Sequence, residues 1–209
     1  RMIKDLSAEA KLLRAVNCVI YVNGKLRGDN TDARGLERDL RDLGVSLRSS
    51  TAIVIGAGGA AASAILASIR MGVAQIMVAN RTRARATKLI RRFASQRTKL
   101  TAHGLEALTD PAILSRAAIV INATPMGLTT RSFARLDYES TRRDCFFYDT
   151  IYRAEPTQFL APPIALGRRH ADGAGMLINQ GELAFKLFNR VAPPAGVMRR
   201  ALLERLGRI

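Results

Sequence analysis

Residues 53–61 read IVIGAGGAA, a hydrophobic segment that runs directly into closely spaced glycines and then into alanines. This order predicts a buried strand, a tight turn and the start of an apolar helix. The glycines would let the backbone turn sharply and approach a pyrophosphate, to which the helix would offer its free N–H groups. We therefore predict a dinucleotide-binding loop; the alternative is a glycine-rich turn of an ordinary α/β domain. The residues assigned to the cofactor here are Gly56, Ala57, Gly58, Gly59 and Ala60.

Strands and helices alternate on the C-terminal side of this loop. The predicted strands are residues 51–55, 75–79, 117–122 and 145–148, and the predicted helices are residues 60–71, 83–95 and 157–167. Such alternation is typical of a parallel sheet with helices on both faces. We therefore predict an α/β fold in which residues 47–176 form a doubly wound parallel Rossmann sheet.

The segments before and after the sheet are predicted to form a second, smaller lobe. Its predicted elements are a helix at residues 5–15, a hairpin of strands 18–22 and 25–28, and helices at 33–43, 177–190 and 195–206. Residues 177–209 would pack back on residues 1–46 in this lobe.

The segment after the second strand of the predicted sheet bears on the choice of cofactor. It reads Asn80-Arg81-Thr82, and Arg85 follows about one turn later. NAD enzymes usually carry Asp or Glu here to hold the ribose hydroxyls, and that carboxylate would repel a 2′-phosphate. Arg81 and Arg85 would instead bind the phosphate through charge-assisted hydrogen bonds. The segment therefore favours NADP over NAD. The alternative is that residues 81–85 are only the solvent-exposed start of a helix and bind no ligand.

Composition and charge narrow the class of protein. Lysine and arginine number 33 against 17 acidic residues, a net charge of +16, but the basic residues are spread out and are not interleaved with aromatics. A nucleic-acid partner is therefore disfavoured. No apolar run is long enough for a membrane span, and no charged-then-apolar leader opens the chain. We expect a cytoplasmic protein, monomeric or homodimeric, in which Cys18 and Cys145 are reduced and no metal is bound.

Seven motifs in this order resemble the shikimate dehydrogenase family. They are Ala15-Val16-Asn17, with Cys18 where the family has Thr; Asn30-Thr31-Asp32, with Ala33 in place of Gly; Gly56-Ala57-Gly58-Gly59-Ala60; Asn80-Arg81-Thr82 with Arg85; Asn122-Ala123-Thr124-Pro125-Met126-Gly127; Tyr148-Asp149-Thr150-Ile151-Tyr152; and Gly173-Ala174-Gly175-Met176-Leu177 with Gln180-Gly181. The resemblance covers nearly the whole chain.

The resemblance implies an NADP-dependent oxidoreductase of aromatic amino-acid biosynthesis that reduces 3-dehydroshikimate reversibly to shikimate. It implies that Asp32 is a catalytic carboxylate, one half of a Lys–Asp pair beside the reacting oxygen. Four residues would bind the polyol substrate: Asn17, Asp32, Tyr152 and Gln180. Three further residues would contact the cofactor: Thr124, Thr150 and Gly173. Taken singly, the alternatives are a helix cap for Asn17, a packed surface ring for Tyr152 and a solvated helix residue for Gln180.

One part of the family pattern has no counterpart in this chain. The family's catalytic lysine, and the serines that hold the substrate carboxylate, lie in a segment that would precede Arg1. The resemblance therefore implies that residues 1–46 are the remainder of an N-terminal substrate-binding domain, and that this second substrate-binding lobe is incomplete and exposes apolar surface where further sheet belongs. Lys4 and Lys11 are too close to Asn17 to replace that lysine. Because the chain also opens on Arg rather than Met, we expect a fragment of a full enzyme with impaired activity. The alternative is a naturally short relative that binds NADP without this catalysis.

Three other interpretations stay open at this point. A quinate dehydrogenase would share the same cleft. The NADP domain of glutamyl-tRNA reductase would share the glycine loop and the arginine segment, but not the remaining motifs. A non-catalytic module that binds NADP or nucleic acid would fit the missing lysine and the net charge of +16.

Overall fold

The computed structural model describes residues 3–126 and 133–209, in which the glycine loop lies beside the middle of a parallel sheet. The strands are β1 (Asp5–Leu6), β2 (Cys18–Val22), β3 (Lys25–Asp29), β4 (Thr51–Ile55), β5 (Gln75–Ala79), β6 (Lys99–His103), β7 (Ala117–Asn122), β8 (Phe146–Asp149) and β9 (His170–Ala171). The helices are α1 (Ala8–Leu13), α2 (Asp32–Asp42), α3 (Gly59–Arg70), α4 (Arg83–Ile90), α5 (Pro111–Leu114), α6 (Ala161–Ala165), α7 (Ala174–Asn189) and α8 (Val197–Arg205).

The main sheet is parallel throughout and has the strand order β6-β5-β4-β7-β8-β9. The chain leaves β4 toward one edge, through β5 and β6, and then returns to the other side of β4 as β7. The carboxyl ends of β4 and β7 therefore border the point where the strand order reverses, and in such sheets ligands bind there. The predicted doubly wound Rossmann sheet is confirmed.

Both faces of the sheet are buried, which explains the continuous hydrophobic run of β4. Its side chains alternate between faces: Ala52 and Val54 join the core that includes α2 and α3, whereas Ile53 joins the core that includes Phe159 of the opposite layer. A strand covered on both sides has no polar face to display. The glycine loop is therefore fixed to a rigid support.

A smaller three-stranded sheet, in the order β1-β3-β2, lies beside the Rossmann sheet together with α1, α2 and α7. Helices α2 and α7 pack tightly, because a Cβ atom at Gly35 would lie only 2.7 Å from the Cβ of Gln180. Apolar side chains of the small sheet are exposed, with Tyr21 at 70% and Leu26 at 49%. The division of the chain into three regions stays a prediction.

The prediction of one helix over residues 5–15 is wrong at both ends. Strand β1 occupies its start and pairs in parallel with β3, a contact between distant residues that no local pattern indicates. Ser7 then caps α1 by accepting a hydrogen bond from the Ala10 N–H at 3.1 Å, and Arg14 ends the helix with a left-handed φ of 55°.

Strands β6 and β9 and helix α5 are absent from the sequence-based prediction, and three further helices differ from it by three or more residues at one end. The helix predicted at 83–95 ends at Ile90 and continues as a 3₁₀ turn to Phe93. The helix predicted at 157–167 shortens to α6, whose first turn holds two prolines. Helix α7 begins at Ala174, earlier than the predicted 177, so a glycine-containing segment that resembles a turn is helical.

Replacing Gly35 by alanine is expected to destabilise the fold by about 1–3 kcal/mol, because the added methyl group forces α2 away from Gln180. Gly181→Ala is the matched control on α7: its Cβ would meet only the Met198 sulfur at an ordinary 3.5 Å, and alanine is the better helix former by about 0.5–1 kcal/mol. Urea unfolding of both variants measures the difference. Equal stability of the two variants would contradict the tight α2–α7 contact.

Candidate active site

Gly56, the first residue after β4, is a position that only glycine can occupy. Its φ is +118°, and a Cβ atom there would lie 2.6 Å from the carbonyl oxygen of Ala123. Its N–H donates to the carbonyl oxygen of Ala79 at 2.8 Å. The turn is therefore held between the ends of β5 and β7, and it directs the chain into α3.

Gly58 and Gly59 serve a different purpose, because nothing lies within 4 Å of a Cβ atom built at either position. Gly58 precedes the first residue of α3, and the first turn of that helix carries no acidic residue. The free N–H groups and the positive end of the helix dipole therefore face open space. A pyrophosphate fits such a cradle because the bare backbone lets it approach closely.

The cradle opens into a cavity of about 420 Å³ at the carboxyl edge of the sheet. The cavity is lined by Gly56, Ala57, Gly58, Asn80, Arg81, Arg85, Leu105, Ala123, Thr124, Pro125 and Met126. The glycine loop and the segment after β5 thus meet at one site, as the sequence indicated. Gly59, Ala60 and Thr82, also predicted to contact the cofactor, lie next to this lining and are not part of it.

The three arginines around the start of α4 have different surroundings. Arg81 and Arg85 line the cavity, are exposed, and form no ion pair with any residue in 3–126 or 133–209. Arg83 points elsewhere, since its Nε donates to the carbonyl oxygen of Ala102 at 3.0 Å. The side chain of Asn80 shapes this turn by donating to the Thr82 carbonyl oxygen at 2.9 Å.

Thr124 forms part of the opposite wall, but its hydroxyl group is already engaged. The hydroxyl donates to Asn122 Oδ1 at 2.7 Å and accepts from the Met126 N–H at 3.3 Å. Its methyl carbon lies 3.0 Å from the place of a Cβ atom on Gly56. Thr124 was predicted to contact the cofactor, and in this geometry it can do so through its methyl group. Gly127 of the same motif lies outside the described residues.

Thr150 and Gly173 contact each other after β8 and lie outside the cavity lining. The Thr150 N–H donates to the carbonyl oxygen of Asn122 at 2.9 Å, and a side chain at Gly173 would collide with the Thr150 carbonyl group. Glycine at 173 therefore allows α7 to start directly at the carboxyl edge of the sheet. The predicted cofactor contacts of these two residues stay a prediction.

Three of the four predicted substrate residues come together in one polar cluster, although they are far apart in sequence. Asn17 Nδ2 donates to Asp32 Oδ1 at 2.8 Å and to Thr31 Oγ1 at 3.1 Å. Thr31 Oγ1 in turn donates to Gln180 Oε1 at 3.2 Å. Tyr152 is 40% exposed after β8 and forms no hydrogen bond to these residues within the described chain.

Thr31 is a member of this cluster that was not assigned a role from the sequence. It is fully buried, and it joins the side chain of Asn17 to that of Gln180 on α7. Its place in the Asn30-Thr31-Asp32 motif, directly before the predicted Asp32, was the available signal. The Thr31 hydroxyl therefore sets the relative orientation of the two amides.

Asp29 anchors the turn that carries this cluster. Its carboxylate accepts hydrogen bonds from Ser7 Oγ at 2.5 Å, from the Asn30 N–H at 2.8 Å and from Arg34 Nη2 at 2.7 Å. Burial alone would raise the pKa of Asp29, but these donors and the Arg34 charge outweigh it and hold the pKa below its ordinary value. The anchor stays ionised and so keeps the chain before Asp32 in place.

Asp32 is the first residue of α2 and is partly buried. Burial raises the pKa of Asp32 above its ordinary value, and hydrogen bonds from Asn17 and Asn30 partly oppose this effect. In residues 3–126 and 133–209 its carboxylate forms no ion pair. One oxygen is held by Asn17, so the carboxylate is oriented and can still accept a hydrogen bond from a ligand hydroxyl or a cationic group.

Two further features limit the kinds of site in residues 3–126 and 133–209. No group of three or more His, Cys, Asp or Glu side chains is arranged to hold a metal ion there. None of the helices in these ranges combines the length and the apolarity that a membrane crossing requires.

A Rossmann sheet, an open glycine cradle and the two arginines Arg81 and Arg85 on one cavity define a dinucleotide-binding domain. Comparison with known proteins gives the family. The profile of the Shikimate / quinate 5-dehydrogenase family matches residues 39–149, and that of the Shikimate 5'-dehydrogenase C-terminal domain matches residues 173–203. The chain therefore belongs to the shikimate dehydrogenase family, and the resemblance carried by the seven motifs is confirmed.

Individual relatives support this membership over nearly the whole chain. A protein of Geobacter metallireducens named Shikimate dehydrogenase (NADP(+)) is 35% identical over 99% of this chain and 73% of its own length. Shikimate 5-dehydrogenase from Thermus thermophilus, solved with NADP(H) and shikimate, is 32% identical with a TM-score of 0.81, covering 98% of this chain and 73% of that one. Shikimate 5-dehydrogenase from Listeria monocytogenes, solved with shikimate and NAD, has a TM-score of 0.88 at 26% identity, covering 96% and 72%.

Proposed function

We propose that this chain is an NADPH-dependent shikimate dehydrogenase that reduces 3-dehydroshikimate reversibly to shikimate. The observation that carries the proposal is the convergence of Asn17, Asp32 and Gln180, from three separate segments, into one hydrogen-bonded cluster. Amide and carboxylate groups in such a cluster suit a polyol, which offers several hydroxyl donors and acceptors. The family relatives named for this reaction with NADP(+) support the same assignment.

The cavity at the carboxyl edge is proposed to hold the cofactor. Gly58 leaves the space for the pyrophosphate at the N-terminus of α3. Arg81 and Arg85 are placed to bind the 2′-phosphate through charge-assisted hydrogen bonds. When bound, NADPH supplies the hydride that reduces the ketone. On the opposite wall, the methyl group of Thr124 would form the boundary of the site.

Asp32 is proposed to act on the substrate oxygen that gains the proton. Its oriented carboxylate accepts a hydrogen bond from a substrate hydroxyl and would hold a cationic proton donor beside the nascent alkoxide. Asn17 and Gln180 would bind ring hydroxyls, and Tyr152, which is exposed after β8, would complete the set. Since no lysine is bonded to Asp32 in the described residues, we propose that turnover by this chain is impaired.

Arg81→Ala is expected to weaken NADPH binding by about tenfold, because a charge-assisted hydrogen bond is worth about 1.5–3 kcal/mol. Affinity for NADH should stay unchanged, since NADH has no 2′-phosphate. Arg83→Ala is the matched control: it removes the same charge from the same helix start, but Arg83 bonds to the Ala102 carbonyl group rather than lining the cavity. Fluorescence titration measures the NADPH and NADH affinities of the wild-type chain, Arg81→Ala and Arg83→Ala. Equal losses in the two variants would indicate a general charge effect and contradict the assignment.

The reaction itself is tested by oxidation in the reverse direction, with shikimate or quinate as the substrate and NADP⁺ or NAD⁺ as the cofactor. The proposal predicts that shikimate with NADP⁺ is the preferred pair. Preference for quinate would show that the chain belongs with the quinate dehydrogenases of the same family. Binding of NADP⁺ without oxidation of either polyol, even at high enzyme concentration, would favour a non-catalytic module.

The same assignment leads us to propose a cytoplasmic location and small molecules as the partners. Support comes from Cys18 and Cys145, which are both buried and unbonded to each other, as is usual in reducing compartments. A monomer and a homodimer are both compatible with this proposal. Nucleic acid is not proposed as a partner, because Arg81 and Arg85, the two arginines at the cavity, are assigned to the 2′-phosphate of the cofactor.

A further inference from the structure

A buried carboxylate close to the cofactor cavity has no role in the proposed reaction. Asp149 ends β8, is fully buried, and pairs with no cation within residues 3–126 and 133–209. It accepts hydrogen bonds from Asn122 Nδ2 at 2.9 Å, the Ile151 N–H at 3.0 Å and Thr157 Oγ1 at 2.5 Å. Burial raises the pKa of Asp149 to about 6 despite these donors. A buried charge is costly, so a function beyond stability would account for it.

The carboxylate determines which way the Asn122 amide faces. An ionised carboxylate can only accept hydrogen bonds, so the NH₂ group of Asn122 must face Asp149. The amide oxygen of Asn122 then faces the other way, toward Thr124. There it accepts hydrogen bonds from the Thr124 N–H at 3.1 Å and from the Thr124 hydroxyl at 2.7 Å.

The orientation of Asn122 in turn fixes the wall of the cavity. Because the Thr124 hydroxyl donates to Asn122, its oxygen is free to accept from the Met126 N–H at 3.3 Å. The methyl group of Thr124 is then directed toward Gly56 of the glycine loop. A continuous series of hydrogen bonds therefore leads from the buried carboxylate to residues 123–126, which line the cavity.

We infer that Asp149 is a positioning residue for the cofactor: acting through Asn122, it holds the wall formed by residues 123–126 at the distance from the glycine loop that a dinucleotide needs. Asp149 itself touches neither the cavity nor the glycine loop. The inference rests on the proposed function, in that the cavity must hold NADPH.

Asp149→Asn tests the first link of this series. The asparagine oxygen can still accept from the Asn122 NH₂ group and from the Ile151 N–H, but a neutral amide is a weaker acceptor than a carboxylate, so Asn122 is held less firmly. We expect NADPH affinity to fall about three- to tenfold, the difference between a hydrogen bond to a charged acceptor and one to a neutral acceptor. Thr157→Val is the matched control, because it removes a hydrogen bond from the far side of Asp149 and leaves the Asn122 contact in place; it is titrated at a pH well above the pKa of Asp149, so that the carboxylate stays ionised without the Thr157 hydroxyl. Its NADPH affinity should stay at the wild-type value.

A double-mutant cycle separates positioning from a general loss of stability. Thr124→Val keeps the methyl group that faces the cofactor and removes only the hydroxyl bond to Asn122, so it should weaken NADPH binding by a similar factor. Within the described residues the side chains of Asp149 and Thr124 are joined through Asn122, so the double variant Asp149→Asn/Thr124→Val should bind NADPH no more weakly than Thr124→Val alone. Independent effects would add instead.

Titrations well below the melting temperature of each variant give the result. Non-additive losses at Asp149 and Thr124, with Thr157→Val unaffected, are the expected outcome. Wild-type affinity in Asp149→Asn, additive losses, or an equal loss in Thr157→Val would overturn the inference while leaving the proposed function intact. If Asp149→Asn does not fold, Thr124→Val alone decides: wild-type NADPH affinity in this variant would overturn the inference. A wild-type chain that does not bind NADPH would reject the proposed function, and this inference with it.

Discussion

Replacing Gly58 by valine is expected to abolish NADPH binding without disturbing the fold. Gly58 has φ −97° and ψ −163°, an extended conformation that valine adopts readily. Nothing in the described structure lies within 4 Å of a Cβ atom at this position. The valine side chain would therefore fill only the space proposed for the pyrophosphate. Losing about 3 kcal/mol of charge-assisted contacts to the α3 N-terminus corresponds to a loss of about two orders of magnitude in affinity.

The measurement is a fluorescence titration with NADPH, accompanied by thermal unfolding. Gly58→Val should melt close to wild type and bind NADPH too weakly to saturate. Gly181→Ala is a suitable control, because it also adds a side chain to a glycine but lies on α7, outside the cavity lining. Wild-type affinity in Gly58→Val would show that the cofactor does not approach the glycine loop.

The second large effect concerns turnover. The 209-residue chain is expected to reduce 3-dehydroshikimate about 10²–10⁴ times more slowly than its Geobacter metallireducens relative, the usual effect of losing a general acid–base group. The physical reason is that the Asp32 carboxylate is held by Asn17 at 2.8 Å but is joined to no lysine in the described residues. Absorbance of NADPH at saturating cofactor, measured for both enzymes in parallel, gives the ratio.

Chemical rescue tests the reason for this slow turnover. A small alkylamine added to the assay should accelerate reduction, because its ammonium form can bind Asp32 and donate the proton. Asp32→Asn should abolish the acceleration, because it removes the negative charge that attracts the ammonium group, and should leave NADPH affinity unchanged. Turnover equal to that of the relative, or acceleration that persists in Asp32→Asn, would contradict the role given to Asp32.

The sheet was predictable because its signals are local. Strand β4 is hydrophobic throughout since both faces are covered, and the glycines after it serve a turn and an approach to a ligand, both visible in the sequence. Strand β6 escaped prediction because it lies at the edge of the sheet and is partly exposed, so its residues show no apolar run. Strand β1 depends on its pairing with β3, which local sequence does not encode.

The start of α7 shows why a glycine was misinterpreted. Gly175 resembles a turn residue, yet it lies inside the helix. A side chain there would collide with the Asp39 carboxylate, which accepts a hydrogen bond from the buried Tyr148 hydroxyl at 2.6 Å. The glycine is therefore needed for a close contact between α7 and α2 and has no unusual backbone angle. Such a requirement becomes visible only when the tertiary neighbours are known.

The candidate site was predictable as far as ordered motifs place residue types. The motifs located Asn17, Asp32 and Gln180, which do converge. They also selected Arg81 and Arg85, which line the cavity. They could not show that Arg83 bonds to the Ala102 carbonyl group, because that contact joins segments that are distant in sequence.

The central claim is that the cavity beside the glycine loop binds NADPH and recognises its 2′-phosphate. Parallel titration of the wild-type chain with NADPH and with NADH, at the same ionic strength, tests it most directly. The account predicts that NADPH binds at least about tenfold more tightly, the value of one charge-assisted contact from Arg81 or Arg85. Equal affinity for the two cofactors, or tighter binding of NADH, would contradict it.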